Sequence, residues 1–171
     1  MPMALDMAVT DIQKALQTGI YYAALVTTLQ IPHLCSSLEN ENNRSNGEDY
    51  KKWYRAYVEQ RFRGTLSGDA CYSLRCGMSH QGQVKIPGAK SIRKVVFRLP
   101  DSNRKLSFHG NIDGFTVQYE LNIFCEEFIA AAGVWWNLKS QDAIVRQNMG
   151  HLVRYHESAN FFGMEIGHVL A

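Results

Sequence analysis

The sequence predicts a mainly α protein: one domain over residues 1–171, a bundle of four to five helices with a small antiparallel β insertion at about residues 91–119. Three observations carry that expectation. Apolar residues recur at three- and four-residue steps through most of the chain, the spacing of one buried helical face. The pattern turns to alternation only between Ile92 and Tyr119. A composition of 46% apolar and 20% charged residues suits a single core of ordinary size and excludes a disordered chain.

Residues 6–30 read as one amphipathic helix, with Met7, Ile12, Ala15, Leu16, Ala24 and Leu29 in step. Pro32 ends it or opens a new turn, and residues 31–38 read as a short helix. The polar, Asn-rich stretch 39–49 is a loop. Residues 50–62 set Trp53, Tyr54, Tyr57 and Val58 on one helical stripe. Ser67 or Asp69 can cap a helix over residues 70–80, with Gly82 as its stop. Residues 92–99 and 105–109 are expected as two strands about a turn at Pro100, and residues 115–119 as a third. The helical period returns for residues 121–136 and 142–156. The apolar tail from Ser158 is expected to pack on the body or on a partner.

No apolar run is long enough to span a membrane, and the N-terminal residues lack the basic flank and cleavage pattern of a secretory signal. Cys35, Cys71, Cys76 and Cys125 show no framework spacing, which fits free thiols in a reducing cytoplasm. Cytoplasmic location, no membrane partner, no metal and no cofactor are the expectations. The net charge of +2 is unevenly spread. Residues 85–105 hold Lys85, Lys90, Arg93, Lys94, Arg98, Arg104 and Lys105 against Asp101 alone, so that segment carries +6 and the rest −4. Such a segment attracts a polyanion, or simply keeps edge strands from pairing.

No P-loop, nucleophile elbow, zinc-protease or dinucleotide-binding signature is present. The segment of chemical interest is Leu74-Arg75-Cys76-Gly77-Met78-Ser79-His80-Gln81-Gly82. It places an arginine and a histidine near a helix end with four residues between. An arginine can grip a phosphate with two parallel hydrogen bonds. An imidazole in the last turn feels the negative end of the helix dipole, which favours its proton, and a nearby guanidinium, which opposes it. That balance suits acid–base chemistry near neutral pH.

This segment, after an all-helical N-terminal half, resembles the arginine–four–histidine motif of the HEPN superfamily, and residues 21–39 resemble a subgroup of small bacterial members. The resemblance implies a helical homodimer acting on RNA as a metal-independent endoribonuclease, with an antitoxin protein as a further partner in toxin members. Arg75 would orient the scissile phosphate and His80 would serve as acid–base for attack by the ribose 2′-hydroxyl. Other members are non-catalytic binding modules. Ser79 is a candidate donor to the phosphate, and Asp69 is a candidate to orient Arg75 or His80, with helix capping as its simpler role. Arg93 and Lys94, in the basic insertion, are candidates to steer RNA.

The spacing itself occurs three times: Arg75/His80, Arg104/His109 and Arg146/His151. Ten arginines and six histidines produce roughly a third of a match by chance, so spacing alone selects poorly. In a strand, a separation of five puts Arg104 and His109 on opposite faces. Arg146/His151 fits a helix, and the surrounding residues select Arg75/His80.

Overall fold

The computed structural model describes residues 1–86, 92–101, 107–161 and 164–170. The Pro87–Gly88 loop, Lys90, Arg104 and Lys105 lie outside them. Among the described residues there are six α-helices, one more than the upper expectation, and short strands. No helix of the described residues is long and apolar enough to cross a membrane.

Helices α1 (Met3–Gln17) and α2 (Tyr21–Glu39) replace the expected single helix over residues 6–30. Gly19 separates them at φ +76°, a conformation open to glycine at little cost. The apolar period runs through this break because both helices bury a face against one core. Periodicity reports burial and is silent about a tight turn that keeps the phase. Conversely, α2 continues through Pro32, which was expected to interrupt it. Pro32 removes one helical N–H, but Leu29, Ile31, Pro32 and Cys35 are all buried, so packing on both sides holds the helix together.

Helix α3 (Gly47–Tyr57) opens with a reciprocal cap: Asn46 Oδ1 accepts from the Glu48 and Asp49 N–H groups, and Asp49 Oδ2 accepts from the Asn46 N–H. A 3₁₀ turn (Glu59–Phe62) follows. Helix α4 (Gly68–Gln81) starts at Ser67, whose Oγ accepts from the Ala70 N–H at 3.2 Å, so Ser67 is its cap rather than Asp69. It ends at Gly82, as expected. Helix α5 (Leu121–Lys139) runs through the centre, with Phe124, Phe128 and Trp135 buried. Helix α6 (Ala143–Asn148) is capped by Asp142.

The β insertion is mixed, not antiparallel. Strands β1 (Lys94–Arg98), β2 (Asn111–Asp113) and β3 (Thr116–Glu120) are ordered β1-β3-β2. β3 is central, parallel to β1 with Val95 opposite Val117, and antiparallel to β2 across a two-residue turn. Of the expected strand at residues 105–109, the described part (107–109) is not strand, and β2 follows it. Alternation fixes which side chains face inward, not the direction of the neighbouring strand, so the pairing was not readable. Phe62 joins sheet to bundle: its ring meets Tyr119, Phe124 and Phe128 at centroid distances of 5.2, 5.1 and 6.0 Å.

The expected helix over residues 142–156 stops at Asn148, gives one 3₁₀ turn (Met149–His151) and then strand β4 (Tyr155–His156). Gly150 weakens helix there, and Asn148 turns inward. The tail forms two small antiparallel pairs, β4 with β7 (Val169–Leu170) and β5 (Ala159–Phe161) with β6 (Met164–Ile166). Met164 and Leu170 are exposed, so of the two expectations for the tail, the body or a partner, these two residues do not meet the first.

Asn148 is 2% exposed and donates from Nδ2 to the carbonyls of Leu38 (3.1 Å) and Asn40 (2.7 Å), closing the C-terminal end of α2. Asn148→Ala removes both bonds and leaves carbonyls without a donor. A loss of about 1–3 kcal/mol is expected, read as a lower urea midpoint with an unchanged slope. Exposed Gln147→Ala should leave the midpoint where it is.

Candidate functional site

Helix α4 carries the arginine–histidine segment, and its last turn is shaped by Gly77. A Cβ there would lie 2.9 Å from the Gln83 carbonyl oxygen, and the Gly77 carbonyl accepts from the Gln83 N–H at 3.1 Å. The chain therefore folds back over the helix end. Val84 then accepts from the Val95 N–H at 3.0 Å, and Ile86 donates to the Arg93 carbonyl at 2.8 Å. These bonds attach the start of β1 to the segment that leaves α4.

Arg75 is half-buried and points toward α2. Its Nε and Nη2 both donate to Gln30 Oε1, at 3.2 and 3.0 Å. Gln30 Nε2 in turn donates to Ser79 Oγ at 3.0 Å. One glutamine thus brings Arg75 and Ser79 together. Close by, Tyr22 donates its hydroxyl to the Met78 carbonyl at 2.9 Å. His80 is exposed on the last turn of α4. At 100° per residue it stands about 140° around the helix from Arg75.

Asp69 is at the opposite end of α4, about 16 Å along the helix from His80. It is bound to α3 by Lys51 (3.0 Å) and Arg55 (3.1 Å), and the Lys51 hydrogen bond leads the effects that hold its carboxyl below the usual range. Arg93 lays its guanidinium over the Phe115 ring, 4.3 Å from the centroid, and Lys94 is exposed at the start of β1. Of the six predicted site residues, then, the network joins Arg75 and Ser79, His80 follows in sequence, and Asp69, Arg93 and Lys94 stand apart from that network.

Residues that the motif does not mark, His33 and Arg44 among them, share the Arg75 groove. An open cleft of about 570 Å³ lies between α2, the loop at residues 40–46 and α4. It is lined by Gln30, His33, Ser37, Arg44, Ser45 and Arg75 among others. His80 is not in its lining. A signal existed in the sequence: Gln30, His33 and Ser37 recur at steps of three and four, a polar stripe on an otherwise apolar helix.

His33 is held by hydroxyls. Ser36 Oγ donates to the Pro32 carbonyl at 2.6 Å and lies 2.6 Å from Ser45 Oγ, which lies 2.9 Å from His33 Nδ1. Each hydroxyl has one proton. With the Ser36 proton on Pro32, the Ser45 proton goes to Ser36, and His33 donates from Nδ1 to Ser45. The ring then gains its second proton at Nε2. Partial burial lowers the His33 pKa, and the Arg75 charge lowers it further, against a smaller opposing pull from Asp49.

Arg146 and His151 are both exposed, on α6 and the turn after it. His109 is packed on Phe62 and Tyr119 at 5.7 and 5.2 Å. Among the described residues no three His, Cys, Asp or Glu side chains gather to hold a metal ion. Searches of protein-family models, curated proteins and solved structures return no match to this chain.

Burial pushes the Cys71 thiol up to about 12 and Cys125 to about 11, and raises Cys35 well above its usual value. Cys76 alone of the four is not buried. In the native protein one thiol should react with an aromatic disulfide reagent, and Cys76→Ser should abolish that fast phase. His33 gives a second expectation, by NMR titration of its ring. Its midpoint should lie below 6.5 and rise in Arg75→Ala while staying below 6.5, because burial is the larger cause. The folded-state value is depressed, so the unfolded chain binds the proton more tightly. His33 therefore costs stability as pH falls through the unfolded value, and the loss levels off below the folded one.

Proposed function

We propose that the protein is a metal-independent endoribonuclease of HEPN type that acts as a homodimer. The observation that supports this is the Arg75 guanidinium. Gln30 fixes its direction through two hydrogen bonds, it opens on a groove, and no carboxylate accepts from it among the described residues. A preset, unpaired guanidinium suits a phosphate. In this reading Arg75 orients the scissile phosphate. His80 takes the proton from the ribose 2′-hydroxyl as that oxygen attacks phosphorus. The P–O5′ bond breaks, the departing 5′-oxygen takes a proton from water, a 2′,3′-cyclic phosphate remains, and His80 returns its proton to solvent. Ser79, whose oxygen already accepts from Gln30, keeps its own proton to donate.

A homodimer brings two such helix ends to one cleft. Tyr22 supports a contact at this end, being 59% exposed while its hydroxyl bonds the last turn of α4, with Ile20 at the start of α2 57% exposed. Arg93 and Lys94 draw RNA in by charge. The toxin form of this reading adds an antitoxin protein as partner.

A second reading, a non-catalytic nucleotide- or protein-binding module, is favoured by the place of His80 outside the Arg75 groove and by Cys76, a weak donor, next to the arginine. Incubation with total RNA in EDTA separates the two. Cleavage that leaves cyclic-phosphate ends, falls at least about 100-fold in Arg75→Ala and in His80→Ala, and survives His151→Ala is the outcome expected of the nuclease. No cleavage between pH 5 and 9 selects the binding module, and equal loss with His151→Ala moves the site to the other pair.

A further inference from the structure

The groove beside Arg75 has a composition of its own. Besides Arg75, its nitrogen-bearing walls come from two elements outside the arginine–histidine segment: the His33 imidazole from α2 and the Arg44 guanidinium from the loop at residues 40–46. Arg44 is exposed, and no described residue accepts from its guanidinium. Only its backbone is engaged: the N–H donates to Asn42 Oδ1 at 3.0 Å, and the carbonyl accepts from Asn40 Nδ2 at 2.6 Å. The loop is therefore fastened while the charged end of Arg44 stays available. Across the groove Arg75 is held by Gln30.

Among the described residues no carboxylate lines this groove. The nearest acid in the electrostatics of His33 is Asp49, and its Oδ2 already accepts from the Asn46 N–H and from Asn40 Nδ2, both at 3.0 Å. Arg44 also borders an adjoining hollow that contains Glu41 and Asp49. Two guanidinium groups and an imidazole line this one opening; the Ser37 hydroxyl there donates to the Leu34 carbonyl at 2.9 Å and the Ser45 proton lies toward Ser36, so the nitrogens form the set of donors that the groove offers. Such a set is completed by a compact anion with several acceptor oxygens.

We propose that this groove is a phosphate-binding site in which Arg44 and Arg75 grip the oxygens of one phosphate group and His33 adds a third N–H. The hydroxyl chain Ser36–Ser45–His33 places the imidazole so that Nε2, not Nδ1, carries the proton toward an anion. The groups packed around His33 are the Tyr50 ring and Asp49 from α3, the Tyr72 ring and Arg75 from α4, and Ser45 from the loop. Binding of a phosphate adds negative charge on the side where Arg75 now acts alone. The site shares Arg75 with the nuclease reading, and rests on that reading only for RNA as the source of the phosphate. Phosphate held there need not be cut.

Titration of the full chain with inorganic phosphate, followed by two-dimensional amide NMR, tests the site. Shifts are expected in residues 30–45 and around Arg75, with the His33 ring signals moving as the anion binds. Arg44→Ala should weaken phosphate binding about tenfold, Arg44→Glu more, and His33→Ala by a few-fold. His151→Ala should leave it unchanged. If His33→Ala does not fold, the two Arg44 variants decide. Shifts confined to other parts of the chain, or an affinity indifferent to both Arg44 substitutions, overturn the proposal. The source is read by repeating the series with adenosine monophosphate and with a fluorescent uridylate dodecamer. Dependence on Arg44 for either one supports the site. Phosphate binding without any RNA cleavage removes the nuclease reading and keeps this inference. Cleavage that is indifferent to Arg44 and His33, with no phosphate response in the groove, does the reverse.

Discussion

A single side-chain amide, that of Gln30, decides how α4 presents its functional segment. An arginine only donates hydrogen bonds, so the amide oxygen must face Arg75. That leaves the amide nitrogen to face Ser79, which it reaches at 3.0 Å. The two ends of one planar group thus read two residues one turn apart on the facing helix. The Tyr22 hydroxyl adds a bond to the Met78 carbonyl between them. A guanidinium on a flexible stem would otherwise sample many directions, and ordering it at the moment of binding costs entropy. Here that ordering belongs to the packing of α2 on α4.

The same economy appears in the acidic residues, which are spent on the frame. Glu39 accepts from Trp135 Nε1 at 2.6 Å and pairs with Lys139 at 3.3 Å, fastening α2 to α5. Asp49 closes the α3 cap. Asp69 ties the start of α4 to Lys51 and Arg55. Glu127 holds Arg61 at 2.8 Å. Arg75 and Arg44 keep their charge in the groove because these carboxylates are engaged elsewhere. Burial first, and the Arg75 charge second, hold the His33 pKa below its usual value, and an anion in the groove would favour its proton.

Burial patterns were legible in the sequence, and chain direction was not. The stripes through α3 and α5 appear as helices with apolar faces inward, and Ser67 and Gly82 mark the ends of α4. The errors share a cause. Gly19 breaks a helix without breaking its apolar period, Pro32 fails to break one, and β1 pairs in parallel with β3 although its alternation would serve either direction. Each depends on a tertiary partner that no local pattern names. At the site, the sequence pointed to Arg75, Ser79 and His80 one by one, with Arg75 and His80 as the pair; that Arg75 and Ser79 share one partner was not readable. Nor were the bridge from Gln30 and the approach of His33 and Arg44, since α2 and its following loop lie more than thirty residues earlier in the chain. Only the polar stripe on α2 gave notice that one of its faces avoids the core.

The basic insertion and the groove act over different ranges. Arg93 lies over the Phe115 ring, 4.3 Å from its centroid, and Lys94 beside it is exposed, so their charge rests on the sheet surface rather than in a pocket, whereas Arg98, 4.4 Å over the Phe108 ring, is also paired with Glu120 at 3.7 Å. Exposed charges of this kind are felt over about one Debye length, roughly 8 Å at physiological salt, and act on encounter more than on fit. The groove offers short, directed donors instead. Phe62 fixes the relation between the two by locking the sheet onto α5, and the fold-back at Gly77 fastens β1 to the end of α4. The sheet cations are thereby anchored to the same helix that carries Arg75. Their contribution should fade with salt before that of the groove does, because paired, partly desolvated donors are screened less than a charge lying on a surface ring.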